Sequence, residues 1–416
     1  MTIDLPQPDH AKNIRLIGHT DMRGRADGMQ LMLNKGHLFN AHPFSGGFSV
    51  IDVRNPRDPR TVAFVAAPQN TWMIHLQTHE DLLLVINGRD MLSIFRDEKA
   101  YYTTSIGETS GIGKAANPAR NWTAGMSIYD IKDPANPRQI GFLPVEGGGL
   151  HRIWYTGGRY AYASALLDGY SDCIMMIIDL NDPTHPHEVS RWHLPGMHTA
   201  AGEEPSWEAG RRYALHHAIV HDDIAYAAWR DGGMVLLDIA DKSAPKQINH
   251  LNWCPPYGGG THNCLPLPNR ELLCVVDEAV LDNQEDGVKH IWMFNNKIKG
   301  HPVSISTFPQ PDEEDYVAKG AHFGPHNIYE NRPDGFVSET LIFSTWQNAG
   351  IRVHDISNPY RPLETGVFVP PTPKDLMDHR LNRPKIIQSC DVNVDRNGLI
   401  HANDYNGGLY TLEYLG

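Results

Sequence analysis

Twenty-three of the 416 residues are histidine, and five of them share one local setting. His75 stands in IHLQ, His151 in LHRI, His217 in HHAI, His262 in THNC and His326 in PHNI, each at the start of an apolar, β-branched or aromatic segment. Asp391, in CDVN, takes the same place in a sixth segment, and Gln30 is the nearest equivalent in a seventh. One histidine of this kind reads as a core residue whose polar atoms have found partners. Five in register ask for more. Imidazoles crowded into a poorly hydrated space repel one another when protonated, and a bound cation relieves that. Neutral imidazole is a ligand for transition metals, and a carboxylate helps to neutralise the charge. The expectation is one transition-metal ion, Fe, Cu, Zn or Mn, held by three or four of His75, His151, His217, His262, His326 and Asp391. Magnesium and calcium prefer all-oxygen shells. Residues of the set that do not ligate, with His75 and His151 foremost, are candidates for moving protons or holding substrate.

Residues so far apart meet only if a repeating fold brings them into phase, so internal repeats come next. One phrase recurs as SVIDVRNPRDP, SIYDIKDPANP, MIIDLNDPTHP, LLDIADKSAP and RVHDISNPYRP, an apolar run ending in aspartate with proline seven residues on. The pairs are Asp52/Pro59, Asp130/Pro137, Asp179/Pro186, Asp238/Pro245 and Asp355/Pro362, and Asn295/Pro302 keeps the spacing without the acid. Each phrase predicts a strand, a proline-bearing turn and a second strand, with a further hairpin upstream. Four strands at a period of 49 to 60 residues, with one gap of 78, describe propeller blades. The fold expected is all-β, a seven-bladed β-propeller in one domain. Blades are placed near 27–68, 73–146, 150–195, 215–253, 261–308, 324–370 and 387–416. The last lacks a strand, which the N-terminal segment 12–20 would supply, closing the ring. The histidines then begin the innermost strands and face one end of a central channel.

The repeated phrase resembles the LVIVD-repeat family of bacterial β-propellers, a likeness that implies the fold and leaves the activity open. In layout, the histidine-lined channel is also similar to the carotenoid-cleavage oxygenases and the selenium-binding proteins. That resemblance implies oxidoreductase chemistry at an Fe or Cu centre, and transfers no residue role.

Around the ring, the second strand of each blade returns to the same end. It should present Arg89, Trp229, Arg230, Asp231 and Trp346 there. Arg230 and Asp231 join His75 and His151 as candidate catalytic groups; Gln30, Arg89, Trp229 and Trp346 are candidates for substrate contact. The tryptophans read equally well as packing between blades. Asp90, Asp231, Glu278 and Asp404 are candidate acceptors for ligand N–H groups. The long connections near 91–124, 196–214, 278–290, 309–323 and 371–386 fall on that side too, as a roof or an oligomer contact. His79, His221, His185, His187, His301 and His354 read as solvated turn or outer-strand residues.

Composition narrows the class. A net charge of −13 without a basic tract argues against nucleic acid. The first residues carry neither a basic nor an apolar leader region, and no run approaches 18 apolar residues, so a cytoplasmic location is expected. Five cysteines without a CxxC pair suggest reduced thiols. Nucleophile-elbow, HExxH, P-loop and dinucleotide fingerprints are missing. The function expected is a metal-dependent enzyme acting on a small organic molecule, leaning to an oxidoreductase, with a homo-oligomer possible. The alternatives are a metal-dependent lyase or hydrolase, and a non-catalytic scaffold.

Overall fold

The recurring aspartate works through the backbone. In the computed structural model, which describes residues 5–92 and 121–416, the carboxylate of each repeat accepts the N–H two residues on. Asp52 takes Arg54 at 3.0 Å, Asp130 takes Lys132 at 2.8 Å, Asp179 takes Asn181 at 2.8 Å, Asp238 takes Ala240 at 2.9 Å and Asp355 takes Ser357 at 2.7 Å. Asn295 does the same with its amide oxygen toward Lys297, at 3.1 Å, which explains why the acid is dispensable there. A side chain that mimics a turn ends the strand. The next strand enters with a β-bulge in all six repeats, for example between Val50 and Ile51 and between Leu236 and Leu237. The extra residue adds local twist, as a propeller blade requires.

The fold class is the one expected: all-β, a seven-bladed propeller of four-stranded antiparallel blades. The chain divides into two compact units, residues 67–264 and residues 1–66 with 265–416. The first of these holds the second blade (Leu76–His79, Leu82–Arg89, Gly125–Asp130, Arg138–Pro144), the third (Gly147–Trp154, Tyr160–Leu167, Ile174–Asp179, His187–Trp192) and the fourth (Tyr213–His221, Ile224–Arg230, Met234–Asp238, Lys246–Leu251). The dividing point falls inside strand Thr261–Leu267.

The other unit contains the first blade (Leu31–Asn34, His37–His42, Gly47–Asp52, Arg60–Ala66) and the outer strands of the fifth (Leu272–Asp277, Ile291–Asn295, Val303–Thr307). The last blade (Ser389–Val394, Leu399–Asp404, Leu409–Tyr414) receives Ile14–Thr20 as its outer strand, with Ile14 opposite Tyr414 and Thr20 opposite Leu409. This is the expected closure. A second use of the N-terminus was not expected: His10–Lys12 pairs with Leu363–Val369 at the edge of the sixth blade. Tyr410, Leu412, Ile14, Phe368 and Val353 share one apolar cluster behind these contacts. Gly18 is required there, because a Cβ would lie 2.0 Å from the carbonyl oxygen of Pro56 in the turn of the first blade.

No helix among the described residues is long and apolar enough to cross a membrane. All five cysteines are buried and none is in a disulfide. The insertion expected near 91–124 lies mostly outside the described residues.

Candidate functional site

The inner strands are irregular where the histidines stand. In the second blade, pairing breaks between Trp72 and Leu76, and His75 occupies the break. In the third, register shifts between Leu150 and Arg152, with His151 as the extra residue. In the fourth, it shifts between Tyr213 and His217, and in the last between Ser389 and Val392, around Asp391. Bulges re-aim side chains and are enriched beside active sites.

In unit 67–264, four imidazoles pack together. His75 and His151 have ring centroids 4.9 Å apart, His151 and His216 5.0 Å, and His75 and His216 6.2 Å. His216 and His262 are stacked at 3.6 Å. The fourth-blade member is therefore His216, where the sequence register pointed to His217. His217 keeps regular pairing with Ala228, and its ring meets Trp154 edge-on at 6.0 Å. The bulge between Tyr213 and His217 turns the preceding histidine into the cluster.

Three rings of this cluster are oriented through Nδ1. His75 Nδ1 bonds the carbonyl oxygen of His151 at 2.5 Å, and His216 Nδ1 bonds that of His262 at 2.9 Å. His262 Nδ1 bonds Asn263 Oδ1 at 2.5 Å. In the other unit, His326 Nδ1 bonds the carbonyl oxygen of Cys390 at 2.7 Å. With an oxygen accepting from Nδ1–H, the lone pair of the neutral ring sits on Nε2. A second partner that fixes tautomer and ring orientation is the usual support of a metal-ligating histidine.

Burial pushes His75 well below the usual imidazole range, with the charges of His151, Arg152 and His262 acting in the same direction. His216 is depressed first by burial, then by His262, Arg230, His151 and Arg152. Both shifts favour the neutral ring. Arg152 is almost fully buried and Arg230 is buried too, so two guanidinium groups influence the cluster. A positive surround of this kind favours an anionic guest.

Beside His151 lies a small cleft of about 30 Å³, lined by Trp72, Arg89, His151, Leu166, Cys173 and Arg212. Two candidates from the sequence, Arg89 and His151, thus share one wall. Arg89 also lies over the Trp122 ring, 4.6 Å from its centre. Arg212 is held by Asp172 at 2.9 Å. Asp231 accepts the Arg212 N–H at 2.9 Å and the Gly260 N–H at 3.1 Å, so its carboxylate ties two loops. Arg230 adopts a left-handed backbone with φ of 48°, a costly conformation for a residue with a Cβ.

Trp229 is fully buried and meets Trp192 of the third blade edge-on at 5.5 Å. Trp346 is equally buried, its Nε1 donating to Ser344 Oγ at 3.1 Å. Both therefore sit in the packing between strands.

In unit 1–66 with 265–416, His326 Nε2 lies 3.3 Å from Glu278 Oε1, both groups nearly fully buried. This imidazole–carboxylate pair offers donors for a divalent ion or a proton path. Asp391 Oδ2 accepts the Leu31 N–H at 2.9 Å, so this carboxylate joins the last blade to the first. Gln30 is fully buried. Asp404, another candidate acceptor, takes the N–H groups of Asn406 and Gly407, and burial pushes its carboxyl up to about 6.

Sequence reasoning missed His216, Asn263, Arg152, Arg212 and Cys173. The repeated His–Asn of THNC and PHNI was a usable signal: Asn263 anchors its histidine, and Asn327 Nδ2 donates to the same Cys390 carbonyl as His326, at 3.0 Å.

Comparison with known proteins bears first on the repeat. Residues 218–251 match the LVIVD repeat. This stretch holds the fourth blade from just after His217 and includes one copy of the aspartate phrase. No curated protein matches the sequence. Among solved structures, a hypothetical selenium-binding protein from Sulfolobus tokodaii is similar over 100% of this chain and 93% of its own, with TM-score 0.54 and 14% identity. The WD40 β-propeller domain of Doa1 is similar over 98% of this chain and 97% of its own, with TM-score 0.55 and 10% identity. At such identities the likeness is one of fold.

Proposed function

We propose that the chain is a metal-dependent enzyme that binds a transition-metal ion through its inner-strand histidines, with ligands drawn from His75, His151, His216 and His262. The observation that carries this is the common orientation: the Nδ1 atoms of His75, His216 and His262 are spent on oxygen acceptors, and burial keeps His75 and His216 unprotonated. The substrate is a small organic molecule bearing negative charge, which the Arg230 and Arg152 guanidinium groups favour and which reaches the cluster past Arg89 and His151. Oxidoreductase chemistry at Fe or Cu is the first reading, supported by the nitrogen-rich donor set. A lyase or hydrolase using Zn or Mn is favoured by one specific feature, the buried Glu278–His326 pair, which suits general acid–base work.

The test is metal analysis of protein purified without a tag. Stoichiometric Fe or Cu together with oxygen uptake on carboxylate-bearing substrates supports oxidation, whereas Zn or Mn without oxygen uptake supports the second reading. Absence of any stoichiometric metal, after purification in metal-supplemented medium, overturns both.

A further inference from the structure

We infer that the loop after the third blade is a second divalent-metal site, formed by His193, His198 and Glu203. One ligand atom from each of the three lies within 4.8 Å of the others, all in half-buried positions of a single eleven-residue stretch. The chain folds to bring them together. Gly196 (φ 95°) turns it after His193, a short 3-10 turn covers Thr199–Ala201, and Gly202 (φ 82°) reverses it toward Glu203.

Order is imposed on each donor. Glu203 Oε2 accepts the N–H of Gly196 at 2.8 Å and of His198 at 3.1 Å, which fixes the carboxylate beside the two imidazoles. Tyr170 stacks on His198 at 4.4 Å and 11°, and meets His193 edge-on at 5.2 Å. The His193 and His198 ring centroids are 5.6 Å apart. Two ligands on one tetrahedral ion, with metal–nitrogen bonds of about 2.0–2.1 Å, place their ring centroids at about 5 Å, so small rotations suffice.

Two imidazoles and one carboxylate suit Zn²⁺, Cu²⁺ or Ni²⁺ over Mg²⁺ or Ca²⁺, with a coordination position left for water. The loop is stitched to the connection within the third blade, where Ser171 N–H donates to Met197 at 2.9 Å and Ala200 N–H to Gly169 at 3.0 Å. That connection continues into Asp172 and Cys173, of which Cys173 borders the cleft beside His151. An ion here would therefore brace the wall of that cleft. This inference does not depend on a metal in the buried cluster.

The experiment titrates chelator-stripped full-length protein with Zn²⁺ alone, counting bound ions by equilibrium dialysis. It compares the parent, His193→Gln/His198→Gln and Glu203→Gln, each with and without His216→Ala to silence the buried cluster. The expected result is one ion fewer per chain in the double variant in both backgrounds, and at least ~10-fold weaker binding in Glu203→Gln. Zn²⁺ should also slow tryptic cleavage at Arg211 in the parent and leave the double variant unprotected. Equal uptake by parent and double variant, or uptake by the parent only at millimolar Zn²⁺, overturns the site. Circular dichroism of Glu203→Gln keeps the outcome readable if the double variant misfolds.

Discussion

The choice between two adjacent histidines can be settled by replacing each with alanine. His216 contacts three other imidazoles, with centroids 3.6, 5.0 and 6.2 Å away, whereas His217 contacts Trp154. Structural zinc sites bind with about 10–16 kcal/mol across four ligands, or roughly 2.5–4 kcal/mol per ligand. At 1.36 kcal/mol per decade, loss of one ligand weakens binding about 10²- to 10³-fold. His216→Ala should therefore strip the ion during purification. His217→Ala should keep metal affinity within about threefold, and lose about 2 kcal/mol of stability through the cavity beside Trp154. The assay is metal content by mass spectrometry after tag-free purification, followed by competition with a chromophoric chelator. If His217→Ala loses the ion and His216→Ala retains it, the bulge has been misread and the cluster is not the ligand set.

Three further outcomes follow from particular contacts. Asn263→Ala leaves every imidazole in place but frees His262 Nδ1, and should weaken metal binding about 10–100-fold, read by the same competition. His354, expected to be solvated, is instead fully buried, its ring 4.9 Å from that of Phe308, and burial and Arg352 push its pKa down to about 3. The unfolded chain takes up a proton below pH 6.5 that the folded chain refuses, so the parent should lose about 2.7 kcal/mol between pH 7.5 and 4.5 through this residue. In His354→Leu, denaturant melts should show that component gone; an unchanged pH slope would refute it. Asp404 runs the opposite way. Its folded pKa of about 6 exceeds the ordinary 3.8, so stability is lost as pH rises from 3.8 to 6, in total about 3 kcal/mol. Asp404→Asn should raise the melting temperature at pH 7.5 and leave it nearly unchanged at pH 4, and an equal shift at both would count against the assignment.

The blades were legible because the feature that repeats is local. An aspartate that caps its own turn, followed by proline, imposes the same geometry wherever it occurs, and Asn295 shows the tolerance of that rule. The closing strand was legible because Ile14–Thr20 has the strand pattern and the last blade lacked a member. The histidine cluster was legible only to within one residue. Bulges at His151, before His217 and at Asp391 shift the phase of the inner strands, and a doubled histidine carries no mark of which copy faces inward. Arg152, Arg212 and Cys173 were out of reach for another reason: their importance comes from neighbours on other strands. The loop His193–Glu203 escaped because its donors belong to no repeat.

The strand Ile14–Thr20 has a consequence for how the molecule is made. Its partner Leu409–Tyr414 leaves the ribosome about 390 residues later. At ~5–20 residues per second, the early segment waits roughly 20–80 s for its pairing. During synthesis the nascent chain thus carries an unmatched β-edge on its early strand, and a product truncated before residue 409 would be open to joining a neighbouring copy.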